Sequence, residues 1–381
     1  MENNSKLGLV LSGGGARGAY QVGVLKAIAE LQPKRGHNPF SVITGTSAGA
    51  INAVSLASSA NNFRLAVKKL EKVWRDIHVQ DVYDVSGRNM LVSTGRLIYS
   101  LFHQGASRSK PLALLNTDPL RNLLSHTIQF KNISRRIESG YLDAVAVTAS
   151  GYTSSESVTF YQAHSEQEKW SHGRRRGIPS TLTVGHLLAS SAIPTLMPAE
   201  KLSREYFGDG ALRQLAPLSP ALQLGAEKIL VIGVSGNPTH KPHEEAVLEP
   251  PSMAQMISHI FNSAFIDSME NDLEHLIRIN DLVGLVENEN PHIDVENVRP
   301  VDLLLINPSI EFDKIAEKHI RDLPYSLRTL MRVIGATKKG RGASLASYLL
   351  FESEFCMELI QCGYEDAMEE EAALRDLFIR S

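Results

Sequence analysis

Residues 40–52 read FSVITGTSAGAIN. An apolar, β-branched run ends in Thr44, Gly45-Thr46-Ser47-Ala48-Gly49 follows, and AINAVSLAS continues in a helix-compatible pattern. The stretch implies a strand, a sharp turn and a helix, with a serine on the turn and a glycine two residues to either side. On so tight a turn, side chains at those two flanking positions would collide, and Gly45 and Gly49 remove the collision. The turn lifts the Ser47 hydroxyl above the sheet edge and leaves the Ala48 N–H beside it at the start of the helix. A serine can also serve as a plain helix N-cap, but a cap needs no flanking glycines. Gly45, Thr46, Ala48 and Gly49 therefore read as the frame of a nucleophile, Ser47.

Further short apolar runs read as buried strands: LGLVL (7–11), DAVAVTA (143–149), SVTFY (157–161), EYFG (205–208), KILVIGV (228–234) and DLLLI (302–306). Helical patterns lie between most of them. Phe63, Ala66, Val67, Leu70, Val73, Trp74 and Ile77 form a one-sided stripe at helical spacing. Alternating strands and helices predict an α/β fold with a mostly parallel central sheet covered on both faces. Beyond residue 310 no convincing strand appears. Leu345, Tyr348, Leu349, Phe355, Leu359 and Ile360 share a helical stripe there, so the chain divides into a domain over 1–310 and a helical C-terminal extension over 311–381.

Directly after the first strand comes Gly13-Gly14-Gly15-Ala16-Arg17-Gly18 and then a helix. Such a loop can turn its N–H groups toward an anion at a helix N-terminus. Gly13, Gly15 and Gly18 also satisfy the dinucleotide-binding spacing, but that fold wants an acidic residue at the end of the second strand, and none occurs from Leu31 to Ala60. No Gly-Lys-Ser/Thr follows the loop, which excludes a P-loop.

A serine nucleophile needs a base. Asp209, between Gly208 and Gly210 at another strand end, is one candidate. His240 and His243, after the strand KILVIGV, would instead complete a Ser–Asp–His order, with His186 a weaker rival.

The motifs GGGARG, GTSAG and DGA, in this order and spacing over roughly residues 7–310, resemble those of the patatin-like phospholipases, whose chemistry is shared with cytosolic phospholipases A2. The resemblance implies a patatin-like three-layer fold and a Ser–Asp dyad without a catalytic histidine. Ser47 would be the nucleophile and Asp209 the general base, with Gly210 and Ala211 completing the third motif. The loop Gly13, Gly14, Gly15, Ala16, Arg17 and Gly18 would supply the oxyanion hole. The stretch ASSAIPTLMPA (189–199) would lie behind the aspartate. For the Arg17 side chain two readings stand: a charge near the oxyanion or a lipid phosphate, or a structural brace for the loop. The implied activity is hydrolysis of lipid esters, (lyso)phospholipids or related lipids, through a Ser47 acyl-enzyme. Acyl transfer by the same dyad, and a lipid- or nucleotide-binding regulator with a degenerate site, are the alternatives.

The bulk properties agree with that expectation. The 381 residues are 43% hydrophobic and 21% charged, with a formal net charge of −3, so nothing global points to nucleic acid. Cys356 and Cys362 make neither a ligand cluster nor a disulfide framework, and no metal or other cofactor is expected. The run Leu7–Leu11 is too short for a signal peptide, and no stretch approaches the roughly 18 apolar residues of a membrane span. A cytoplasmic protein, peripheral at the membrane when it meets its lipid substrate, is the expectation. Oligomeric state is not legible.

Three other segments carry weaker signals. Arg174, Arg175 and Arg176 read as a basic loop. MAQMISHIFNSAF (253–265) reads as core packing or an acyl-chain lining. Residues 86–115 hold Arg88, Arg96, Arg108 and Lys110 interleaved with Met90, Leu91, Val92, Leu97, Ile98, Leu101 and Phe102, without one acidic residue. That pattern suits either a core-facing helix or an element in transient contact with a membrane surface.

Overall fold

Strand β1 (Leu7–Leu11) is apolar and buried at every position, the mark of a strand covered on both faces. The structure, a computed structural model, describes residues 5–33, 36–102, 111–164, 167–235, 250, 252–289, 300–336 and 343–379. After β1 and a 3-10 turn (Gly15–Gly18) come α1 (Ala19–Leu31), β2 (Val42–Thr46), α2 (Ala48–Ser58) and α3 (Phe63–Asp76). Four helices precede the next strand: α4 (Val79–Val82), α5 (Gly87–Phe102), α6 (Asp118–Thr127) and α7 (Lys131–Glu138). Then follow β3 (Ala144–Gly151), β4 (Ser157–Ala163), β5 (Trp170–His172), β6 (Arg175–Pro179), α8 (Val184–Ser190), β7 (Glu200–Leu202) and β8 (Glu205–Asp209). The rest runs α9 (Ser219–Gln223), β9 (Lys228–Ile232), α10 (Met253–Asn262), a π-helical turn (Ser263–Asp267), α11 (Ser268–Glu289) and β10 (Asp302–Ile306). It closes with α12 (Phe312–His319), α13 (Tyr325–Val333), α14 (Ala343–Leu349), α15 (Ser353–Glu369) and α16 (Glu371–Ile379).

Strands β10, β9, β1, β2 and β3 lie side by side and parallel. Beyond β3 the order continues through β4, β6 and β5. Alternation along the strands sorts the helices into two layers. Leu7, Leu9, Leu11, Ile43, Val145 and Val147 face a core built with α1, α2, α3 and the C-terminal helices. Val10, Ile229 and Val231 face the opposite side, against Ala221 of α9 and Met269 and Leu273 of α11. This is the expected three-layer α/β architecture.

One detail of the sheet positions the candidate site. β4 covers one whole edge of β3, from Ala144 opposite Ala163 to Ser150 opposite Ser157. The other edge is shared. β2 pairs in parallel with Ala144 to Thr148, and β8 pairs antiparallel with Ala149 to Gly151. β2 and β8 therefore meet head to head: Thr46 lies opposite Thr148 and Asp209 opposite its neighbour Ala149.

Several sequence-based expectations shift. The second strand is Val42–Thr46, not 40–44, because parallel pairing with β1 and β3 carries the ladder to Thr46. Of the three arginines read as a loop, Arg174 lies in a turn, but Arg175 and Arg176 are in strand β6. Gly173, in the left-handed region at φ +58°, turns the chain into a hairpin in which Arg175 and Arg176 pair with β4 and β5. Strand β7, which has no apolar run, forms by pairing with β8. In segment 86–115, residues 87–102 are helical. The side chain of Arg88 and residues Arg108 and Lys110 lie outside the described residues, as do His240 and His243.

The C-terminal helices join the main core. Phe355, Leu359 and Ile360 of α15 are buried together with Tyr20, Val24 and Ile28 of α1. Gly23 and Gly363 allow this approach. A Cβ on Gly23 would lie 1.9 Å from the Ile360 carbonyl oxygen, and one on Gly363 would lie 2.1 Å from that of Tyr20. An exposed helix gains stability when Gly becomes Ala. Here the opposite is expected: Gly363→Ala should cost about 1–3 kcal/mol by overpacking, read as a lower urea midpoint. A raised midpoint would show that α15 does not press against α1 as described.

Candidate active site

Ser47 sits between β2 and α2 with φ 55° and ψ −126°, a left-handed conformation costing about 1–3 kcal/mol for a non-glycine residue. The surroundings hold it there. Its N–H donates to Ser190 Oγ at 2.8 Å, and Ser190 Oγ donates onward to the Thr148 carbonyl at 2.6 Å. The flanking glycines are needed as the sequence suggests. A Cβ on Gly45 would lie 2.3 Å from the Gly49 carbonyl oxygen, and one on Gly49 would lie 2.2 Å from that of Leu11.

Asp209 arrives from the other direction, at the end of β8. Its N–H donates to the Ala192 carbonyl at 2.8 Å, and its Oδ1 accepts the Ala211 N–H at 3.0 Å. Gly210 is pressed against the Thr148 carbonyl, where a Cβ would come within 2.2 Å. The carboxyl is 1% exposed. Burial pushes its pKa up to about 7, against smaller opposing pulls from the Ser47 hydroxyl and the Ala211 N–H. The Ser47 contact is not a well-formed hydrogen bond, since Asp209 Oδ2 is buried without a partner of regular geometry. Such contacts commonly tighten only when substrate is bound.

The glycine loop completes the site. A Cβ on Gly13 would lie 3.1 Å from Ser47 Cβ, and one on Gly18 2.9 Å from Ala48 Cβ. The Arg17 N–H is used within the loop, donating to the Gly14 carbonyl at 3.1 Å. The N–H groups of Gly13 and Gly14 have no acceptor among the described residues. Gly15, at φ +57°, lies against the Tyr348 carbonyl, where a Cβ would come within 2.2 Å. The Arg17 side chain follows the structural reading. Buried at 4% exposure, it donates from Nε to Ser347 Oγ at 2.9 Å, pairs with Asp313 at 2.9 Å and lies 4.0 Å over the Tyr348 ring. The C-terminal segment thus braces the loop from outside.

Beside Ser47 opens an apolar slot of about 50 Å3, lined by Ile51, Leu70, Trp74, Leu124, Ile193, Phe351 and others. The segment 253–265 is absent from its lining. Phe261 and Phe265 pack instead around Tyr348 and the glycine loop.

No histidine partners Ser47 or Asp209 among the described residues. His186 caps α8, its Nδ1 facing the Thr183 N–H and hydroxyl, and packs edge-on against Phe160. Burial depresses its pKa to about 4. The group of described residues with metal-ligand spacing is His319, Asp322 and Glu354 on the C-terminal helices. Both His319 nitrogens already face carboxylates, of Asp322 and Glu358. Sequence reasoning missed Ser190. Its only local signal was the polar pair Ser190-Ser191 at the end of an apolar helix.

A family model described as patatin-like phospholipase matches residues 9–222. The chain belongs to that family. The patatin-like match carries the glycine loop, the Ser47 turn and Asp209, while β9, β10 and the helices from α10 onward lie beyond it. No curated protein matches the chain. Among solved structures it is similar to VipD from Legionella pneumophila, at 14% identity over 94% of this chain and 67% of that one, with a TM-score of 0.34. It is also similar to human GIVD cytosolic phospholipase A2 in complex with methyl gamma-linolenyl fluorophosphonate, at 14% identity and a TM-score of 0.43. That alignment covers 99% of this chain, which spans only 60% of the human enzyme. The ExoU–SpcU complex of Pseudomonas aeruginosa gives 16% identity over 97% of this chain and 75% of that one, at a TM-score of 0.27.

The raised pKa of Asp209 links to stability with a definite sign. Between about 3.9, the ordinary aspartate value, and about 7 the folded state binds more protons than the unfolded state. Stability is therefore lost as pH rises through that window. Asp209→Asn has no such loss. Its stability relative to the parent should increase from pH 5 to pH 8 by an amount on the order of a few kcal/mol, measured by urea unfolding at both pH values. Equal pH dependence in the two proteins would show that the carboxyl is not desolvated.

Proposed function

We propose that this patatin-like protein is a serine acyl hydrolase of lipid esters, such as (lyso)phospholipids, working through a Ser47–Asp209 dyad. The observation that carries the reading is the head-to-head meeting of β2 and β8, which brings a strained serine and a desolvated aspartate together beside two unpaired N–H donors. Ser47 Oγ attacks the ester carbonyl carbon while its proton passes to Asp209. The negative charge gathering on the carbonyl oxygen is met by the N–H groups of Gly13 and Gly14. One such donor is worth about 3–4 kcal/mol in acyl transfer. The tetrahedral intermediate then breaks its bond to the leaving oxygen, which takes the proton from Asp209. Water, deprotonated by Asp209, attacks the acyl-enzyme and releases the acid, and Ser47 recovers its proton.

A carboxylate with an ordinary pKa would be a weak base for a hydroxyl. Raised to about 7 by burial, Asp209 is matched to neutral pH. The apolar slot supports an aliphatic acyl group. No helix among the described residues is long and apolar enough to cross a membrane, so the substrate would be reached from the membrane surface. In α5, Val92 and Tyr99 are each 54% exposed and Arg96 is exposed too, which supports this helix as the contact.

Two measurements test the proposal. Ser47→Ala should abolish labelling by a fluorophosphonate probe and lower kcat on a p-nitrophenyl ester by about four orders of magnitude or more. Asp209→Asn should be similarly inactive, with activity of the parent unchanged in chelator. Labelling that persists in pure Ser47→Ala protein would refute the nucleophile assignment.

A further inference from the structure

The slot beside Ser47 is mostly apolar, and two hydroxyls in its lining have no hydrogen-bond partner among the described residues. Tyr83, at the C-terminal end of α4, is fully buried, and its Oη has no hydrogen-bond partner among the described residues. Burial alone raises its pKa, with no bonded neighbour acting on it. Ser191, just past α8, is 6% exposed, and its Oγ is likewise unpartnered. Both residues line the slot. Two other polar groups in the same wall are satisfied: Trp74 Nε1 donates to Asn52 Oδ1 at 2.8 Å, and Thr127 Oγ1 to the Leu123 carbonyl at 2.8 Å. A buried hydroxyl with no partner weakens a fold. Phenylalanine and alanine would have filled the same places without that cost.

The two residues occupy different stations. Ser191 lies between Ser190, which accepts the Ser47 N–H, and Ala192, whose carbonyl accepts the Asp209 N–H. It is therefore beside the reacting centre. Tyr83 packs edge-on to Phe351 at 5.7 Å, and Phe351 in turn stacks on Trp74 at 6.0 Å. This places the tyrosine within the aromatic part of the wall.

The dimensions and charge of the slot restrict what could satisfy these groups. A water occupies about 10–15 Å3 in cavity terms, so about 50 Å3 admits a narrow file of atoms and no bulky headgroup. No lysine, arginine or histidine is among the lining residues, so a phosphate would enter without a counter-charge. Water can fill the slot when no substrate is bound; a substrate group that displaces it would be a thin, uncharged chain that is mostly hydrocarbon yet carries hydrogen-bonding oxygen.

Resting on the acyl-hydrolase reading above, we propose that the slot selects a hydroxyacyl chain, whose hydroxyl bonds Tyr83 Oη, while Ser191 Oγ serves oxygen nearer the ester. A site that presents buried polar groups rejects a partner lacking the complement far more strongly than it senses one methylene.

The test compares p-nitrophenyl hexanoate with its hydroxyhexanoyl analogues, bearing the hydroxyl near the carbonyl, in mid-chain or at the end. At least one hydroxyl position should give kcat/KM about tenfold above the plain ester. In Tyr83→Phe that ratio should fall to about one through loss of hydroxyacyl turnover, while the melting temperature holds or rises because the orphan hydroxyl is gone. Ser191→Ala should reduce the ratio most for the hydroxyl nearest the carbonyl. A parent that hydrolyses all the esters without preference, or a Tyr83→Phe protein that keeps the preference, overturns this inference and leaves the hydrolase reading intact. A parent that hydrolyses none of them removes both.

Discussion

The structure depends on the shared edge of β3. One long strand accepts β2 along its first five residues and β8 along its last three, running in opposite directions. Strand ends are where a backbone leaves the ladder and a side chain can reach an open crevice. Here two such ends point at each other from residues separated by a single step on β3. No flexible loop has to find the geometry, because the hydrogen-bond register of the sheet sets it. The same constraint explains the glycines. Where two chain reversals converge with a third loop, backbone touches backbone, and Gly45, Gly49 and Gly210 stand where a Cβ would strike a carbonyl oxygen.

That crowding has an electrostatic consequence. Water is excluded from Asp209, so its charged form is costly and its affinity for a proton rises. The feature that strains the fold also raises the pKa of Asp209 to about 7, which under the proposed reading suits it to act as a base near neutral pH. Ser47 and its φ of 55° follow the same logic, a local cost held in place by the Ser190 hydroxyl and the surrounding backbone. The glycine loop is kept in position from the opposite side by Arg17, whose guanidinium is clamped by Asp313, Ser347 and Tyr348. Those three residues lie beyond the segment matched by the family model. The C-terminal helices are therefore joined to the front of the chain by α15 on α1 and by this clamp on the loop.

How much of this was legible in the sequence depends on the range of the interaction. The Ser47 turn is local: serine, two glycines, a strand before and a helix after. Asp209 was visible because glycine marks both of its sides at a strand end. Central strands announced themselves as apolar runs, since both faces are covered. Strands β5, β6 and β7 did not, because edge pairing rather than burial creates them and their residues stay partly exposed. Ser190 was not legible, since its role arises only when α8 packs against β3 and β8 and brings its hydroxyl to the Ser47 N–H. Tyr83 was hidden for a related reason, because a tyrosine looks the same in sequence whether or not its hydroxyl finds a partner. The two readings of the Arg17 side chain separated only once α12 and α14 were seen against the loop.

The central claim is that a desolvated Asp209 activates Ser47. The most direct measurement is the rate of fluorophosphonate labelling of Ser47 as a function of pH, in the parent and in Asp209→Asn. The expected result is a parent rate that rises through a single ionisation near pH 7, following Asp209, and an Asp209→Asn rate that is low and flat. A parent midpoint near the ordinary aspartate value of about 4, or a pH profile that survives in Asp209→Asn, would contradict the account.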